Sequence, residues 1–204
     1  MTMTVHRRKD VRTPNVLMHK IADIRGGVSV NTSELGGDYL PEGAVLSAPV
    51  DGICHVVKVA RVEAAVTADG TSVKVKKYSC LKAGDFVFTE NGGKAVKVAA
   101  VDTRNKTFDT VTLAAALGEI AKGGFLVEAK AEADGAKTKA ELKYQPLAIA
   151  GTGKRFIGTD LDYDGNVVEA YRTNLDNDAW VIGVTKGNPL PAVIADKLKG
   201  IINY

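Results

Sequence analysis

The sequence predicts a mainly β protein made of two small β domains, barrel- or sandwich-like, with a short C-terminal helix. Residues 71–113 form a ladder of short segments with period-two apolar residues, such as Val73-Lys74-Val75-Lys76 and Lys94-Ala95-Val96-Lys97-Val98. Turns rich in Gly, Asn and Asp separate these segments, among them Asn91-Gly92-Gly93 and Asp102-Thr103-Arg104-Asn105. The apolar content is Ala and Val rather than Leu and Phe, with aromatics at only 6%. That composition suits thin β layers better than thick helical cores.

Taken in order, residues 1–15 read as a flexible polar arm carrying His6-Arg7-Arg8-Lys9. Val28-Ser29-Val30, between the double glycines at 26–27 and 36–37, reads as a short strand and completes an N-terminal region of residues 1–39. Leu40-Pro41-Glu42-Gly43 is a turn, with Pro fixing φ and Gly two places later. It opens a first β domain over residues 40–130, with strands at Ala44-Val45-Leu46, residues 53–62, the ladder itself and Phe125-Leu126-Val127. Ala114–Ile120 reads as a helical turn ending near Gly123-Gly124. Residues 131–143, rich in Lys, Ala and Glu and broken by Asp134-Gly135, read as a linker, with a ragged helix as the alternative. A second β domain, residues 144–204, has strands at Asn166–Tyr171 and Ala179–Val184. Its closing helix starts at Asn188-Pro189-Leu190-Pro191, carries the apolar stripe Val193, Ile194, Leu198 and Ile201, and stops at Gly200.

Composition narrows the function classes. The 204 residues suffice for one large or two small domains with a proper core. The net charge of +3, from 27 basic and 24 acidic residues, lacks the large basic excess of a nucleic-acid binder. No stretch approaches the ~20 apolar residues of a membrane helix, and Met1–Arg12 leads into polar residues rather than an apolar signal core. A soluble protein made in a reducing compartment is expected. Cys54 and Cys80 have no disulfide-framework or zinc-site spacing and read as buried core thiols.

The sharpest local motif is Asp160-Leu161-Asp162-Tyr163-Asp164-Gly165-Asn166. Its three alternating carboxylates before a turn glycine resemble the start of an EF-hand loop, making Asp160, Asp162 and Asp164 a weak Ca²⁺ candidate. Tyr171 stands where the loop needs its bidentate Glu, so an acidic Asp-Gly turn between strands is the favoured reading. Gly151-Thr152-Gly153-Lys154-Arg155 is an incomplete phosphate loop, with Ala148 and Arg155 at positions that require Gly and Ser or Thr. Cys54 and His55 are strand neighbours and point to opposite faces, so they cannot form an activated pair. His6, His19 and His55 show no metal spacing. Lys74, Lys76 and Lys77 read as a solvated strand edge that discourages aggregation. The expectation is a non-enzymatic protein with no catalytic residues and no cofactor.

The run Leu40–Leu46, then His55-Val56-Val57-Lys58-Val59-Ala60-Arg61-Val62, Val73–Lys77, Leu81–Val87 and Lys94–Thr103 resembles the head-fibre or capsid-decoration proteins of tailed bacteriophages and prophages, notably those of gut bacteria. Asn188–Pro191 through Lys197-Leu198-Lys199-Gly200-Ile201-Ile202 is similar to the closing helix and strand of that group. The likeness covers roughly residues 40–130 and 175–204 and leaves the first forty residues and the Asp160–Asn166 loop unexplained. It implies a virion component on the head surface, made in the bacterial cytoplasm, partnering the major capsid protein and commonly trimeric. The alternative from another class is a carbohydrate- or cell-surface-binding β module, which needs an exposed aromatic platform such as Trp180 with Tyr163. Trp180, in an apolar strand, is expected to be buried.

Overall fold

A computed structural model describes residues 16–204 except 91, 162, 163, 165, 166 and 172. The chain is mainly β, as its alternation predicts. In order, the strands are β1 (Leu17–Asp23), β2 (Val28–Asn31), β3 (Tyr39–Leu40), β4 (Val45–Ser47), β5 (Val56–Val57), β6 (Val59–Arg61), β7 (Ser72–Lys76), β8 (Phe86–Phe88) and β9 (Ala95–Asp102). They continue with β10 (Phe108–Leu113), β11 (Phe125–Ala129), β12 (Pro146–Ala150), β13 (Lys154–Arg155), β14 (Ile157–Leu161), β15 (Val167–Tyr171), β16 (Asn174–Asn177) and β17 (Ala179–Thr185). The helix α1 (Ala192–Ala195) and strand β18 (Ile201–Asn203) close the chain.

Two six-stranded sheets organise these elements. The first runs β1-β17-β12-β4-β5, with β18 parallel to β17, and the second runs β6-β11-β8-β9-β10-β7. In β7 the period-two pattern is realised directly: Val73 and Val75 are fully buried while Ser72, Lys74 and Lys76 are exposed. Val111 of β10 sits opposite Val73, and both enter a core with Val96, Val98, Val87 and Leu126. The Asn105 turn is held by its own side chain, whose Oδ1 accepts from the Thr107 N–H. The two end strands of this sheet, β6 and β7, meet at a single bridge between Val62 and Val75. The sheet is therefore curled on itself, and among the described residues no continuous ladder closes it into a barrel.

A second core, containing Val30, Leu40, Leu46, Phe156 and Leu175, lies against the first sheet. A third joins the sheets. It takes Val45, Val57 and Ile149 from the first, Phe88, Ala95 and Val127 from the second, and Ile194 and Leu198 from the C-terminal turn.

The structure departs from the expected domain boundaries. Strands β4 and β5, assigned to residues 40–130, pair into the same sheet as β12 and β17 of residues 144–204, and β1 of the N-terminal region joins them. The first sheet is thus assembled from both ends of the chain, and residues 59–129 form the second sheet as an insertion. The expected linker at 131–143 is packed rather than free. Ala133, Ala140 and Leu142 are buried in the third core, and bridges join Ala95 to Ala133 and Ala129 to Leu142. Its polar residues misled because they serve a turn: Asp134 Oδ1 accepts from the N–H groups of Ala136, Lys137 and Thr138. That turn aims the alanines inward.

Ala114–Ile120 forms no helical turn. Ala114 donates to the Lys97 carbonyl, and Ile120 exchanges backbone hydrogen bonds with Val66, so extended pairing overrides the helical propensity of the alanines. The C-terminal helix is present but lasts only from Ala192 to Ala195, with Ile194 and Leu198 of the predicted stripe buried.

Candidate functional site

The most unusual interior feature is a chain of alternating charges at the junction of the two sheets. Lys58, between β5 and β6, is fully buried, with its Nζ 2.7 Å from Asp85 Oδ2 and 3.3 Å from Glu128 Oε1. Glu128, on β11, also meets Lys143 Nζ at 3.0 Å, and Lys143 reaches Glu34 Oε2 at 3.1 Å. The Tyr144 hydroxyl donates to Glu34, and the Tyr144 ring stacks on His55 at 4.3 Å between centroids. Two lysines and three carboxylates thereby link the start of β6, the turn before β8, strand β11, the approach to β12 and the loop after β2. Asp85 is further fixed by the Lys82 N–H.

The electrostatics follow from this geometry. Burial raises the Glu128 carboxyl above its ordinary range against the pull of Lys58 and Lys143, and its Oε2 has no hydrogen-bond partner among the described residues. Burial pushes the Tyr144 phenol up to about 12, aided by its hydrogen bond to Glu34. For Lys143, burial works against the charged form, but Glu128 and Glu34 prevail and hold the ammonium above its usual value. Burial opposes ionisation of Glu34 too, yet Tyr144, Lys143 and His55 keep its carboxyl below the ordinary range. The charges are directed at one another, so the arrangement acts as a clamp between the sheets. An apolar replacement of similar shape could do the same holding; a half-removed pair could not.

The residues singled out from sequence fall elsewhere. Asp164 is exposed at the turn between β14 and β15, and Asp160 lies within β14 opposite Val168; Asp162 lies outside the described residues. Among the described residues no three His, Cys, Asp or Glu side chains converge on a metal-sized site. The 151–155 loop is shaped by packing: a Cβ at Gly153 would lie 1.9 Å from the Tyr39 hydroxyl, and one at Gly151 would lie 2.7 Å from the Trp180 indole nitrogen. Cys54 and Cys80 are buried free thiols, and burial drives the Cys80 thiol up to about 12. Lys74 and Lys76 are exposed on β7, with Lys74 over the Phe108 ring at 5.1 Å, whereas Lys77 turns back to Asp109 at 2.7 Å. Trp180 is half-buried rather than buried: its indole packs on the third core and is flanked by Gly151 and Gly183. Tyr163 lies outside the described residues.

Sequence reasoning did not find the ionic chain. The available signal was a charge in the midst of apolar residues, Lys58 in Val56-Val57-Lys58-Val59 and Glu128 in Phe125-Leu126-Val127-Glu128-Ala129. Such a residue in a strand that is otherwise apolar must be paired.

Two surface features complete the picture. At one end of the first sheet, Met18 and Ile21 of β1, Ile182 of β17 and Ile202 of β18 are exposed together with Tyr204. Ala22 pairs with Ile182, and Val184 with Ile202, so these strands are adjacent. Elsewhere, a crevice of about 610 Å³ opens between β6 and the segment following β7. The sequence matches no protein-family model and no curated protein.

Proposed function

We propose that the protein is a non-enzymatic structural component of a tailed-phage virion, a head fibre or capsid-decoration protein that docks on the capsid exterior and assembles with itself, a trimer being favoured. The observation that carries the reading is the group of exposed large apolar residues Met18, Ile21, Ile182 and Ile202 at the end of the first sheet. Apolar side chains concentrated on neighbouring strands favour coverage by another protein surface over exposure to water. The resemblance over residues 40–130 and 175–204 supports the same assignment. So does the polar chemistry of the interior, which is spent on clamping sheets together. The major capsid protein is the proposed partner and the head surface the proposed location.

A carbohydrate-binding module would need Trp180 as an open platform, and the packing of its indole between glycines and the third core weighs against that use. The test is co-sedimentation of the purified protein with heads of the corresponding phage lacking its gene. Saturable binding is expected. Heads that never take up the protein, in a virion whose protein inventory also lacks it, would sink the assignment.

A further inference from the structure

We propose that the crevice between β6 and β7 is a peptide-binding site that receives an extended acidic segment of another protein by strand addition. This stands on the crevice alone and does not depend on the capsid reading.

The crevice exists because two strands that meet at one point fail to stay together. Val62 and Val75 form a bridge, and the Glu63 N–H donates to the Lys74 carbonyl. Past Lys76 the chain veers off. Tyr78 and Cys80 both have positive φ, 65° and 59°, a conformation uncommon for residues with side chains. Buried Asp109 holds the diversion in place by accepting from the Tyr78 N–H and pairing with Lys77. Backbone strain at the wall of a cleft, secured by a buried carboxylate, is a feature that binding sites use.

The diversion leaves β6 with an open edge. On its paired side, the Lys58 carbonyl accepts from Glu128, and Val62 bonds to Gly123 and Gly124. Backbone groups alternate along a strand, so the N–H and C=O of Val59 point the other way, into the crevice. There they meet no partner strand among the described residues. An added strand would satisfy them, the mode by which exposed sheet edges take up extended peptides.

The lining decides what kind of peptide fits. Val45, Val57, Phe125 and Leu190 supply apolar surface for alternate side chains. Arg61, Lys76 and Lys186 line the crevice and carry no ion pair among the described residues, while Lys58 and Lys77 are already committed to carboxylates. Glu42 is the one acidic residue in the lining among the described residues, and it is engaged by the Leu17 N–H. Arg61 and Lys76, together with Lys186, whose ammonium lies over the Tyr204 ring at 5.9 Å, set positive charge beside an apolar floor and call for an occupant that alternates apolar and acidic residues. The chain's own residues 1–15, with Arg7, Arg8, Lys9 and Arg12 against Asp10, have the wrong sign. The alternating run that begins Asp160-Leu161 has the right sign, but Asp160 and Leu161 are already paired with Val168 and Val167 of β15, so the occupant is assigned to a segment of a different protein.

The test uses the full-length protein, isotope-labelled for amide NMR, and an acetylated six-residue peptide of alternating Val and Glu. Saturable shifts are expected at Val59, Ala60, Arg61 and Lys76, with the Val-Lys counterpart binding at least ten-fold more weakly. The doubly substituted Arg61→Glu/Lys76→Glu protein, changed only at exposed side chains, should reverse that preference while keeping its amide spectrum elsewhere. A Val-Glu peptide N-methylated at alternate residues should lose binding, because strand addition needs its amides. Equal affinity for the two peptides, shifts confined to another edge such as β1, indifference to N-methylation, or no saturable shifts would each overturn the proposal.

Discussion

Replacing Lys58 by Met tests whether the buried ionic chain clamps the sheets. The side chain is 0% exposed and its partners Asp85 and Glu128 are 6% and 1% exposed. Methionine matches the length of the aliphatic stem, so packing changes little and the lost charge dominates. Asp85 is left with the Lys82 N–H and no cation, whereas Glu128 retains Lys143. Removing one member of a buried pair costs about 3–5 kcal/mol, and for a chain of this size that lowers the melting temperature by about 6–20 °C.

The pH dependence carries the sign. Glu128 is raised in the folded protein by burial, against Lys58 and Lys143. A raised folded value means that the folded state binds the proton more tightly than the unfolded chain. Its contribution is therefore most favourable below the ordinary carboxyl value and declines as pH rises through the folded value. Loss of Lys58 enlarges that shift, so the deficit of the variant should narrow on going from pH 7 to pH 5. Thermal denaturation followed by circular dichroism at the two pH values measures both effects. A variant that also carries Asp85→Asn and Glu128→Gln, which removes the stranded charges, should recover most of the loss. A deficit below about 1 kcal/mol, the range of an exposed ion pair, or one identical at both pH values, would refute the clamp.

Gly153→Ala places a methyl group where the Tyr39 hydroxyl sits, and should cost about 1–3 kcal/mol by overpacking; adding Tyr39→Phe should restore part of it in a denaturation cycle. Cys54 and Cys80 should resist a thiol reagent at pH 8 in the native protein and react fully once it is unfolded, since burial raises both thiols; stoichiometric native labelling would contradict that. Light scattering is expected to find an oligomer, most simply a trimer. Ile21→Lys with Ile202→Lys should shift it toward monomer without loss of β signal, and a monomeric parent protein at high concentration would defeat the assembly reading.

Much of the fold was legible because period-two alternation is a local signal. Val73 and Val75 reveal an inward face without reference to anything distant, and Asn105 specifies its turn within three residues. The pairing of β4 and β5 with β12 was not legible, because nothing in Val45-Leu46-Ser47 records which later strand will lie beside it. Residues 131–143 misled for a related reason: two alanines and a leucine among charged residues look like spacer until the Asp134 turn directs them at one core. The ionic chain was hidden in the same way. Lys58 and Glu128 each look anomalous alone, and only their meeting across β6 and β11 explains both. The crevice depends on positive φ at Tyr78 and Cys80, positions where a sequence gives no hint of a left-handed residue.

The interrupted first sheet has an evolutionary reading. Residues 59–129 leave it and return to it through adjoining strands, since Val59 of β6 pairs with Val127 of β11. An inserted module whose two ends lie side by side can be exchanged, lengthened or lost without prising open its host, because the host sees only a bridgeable gap. The clamp around Lys58 sits at that doorway. Any foreign module grafted there would have to bring its own answer to Glu34 and Lys143, whose charges remain on the host side.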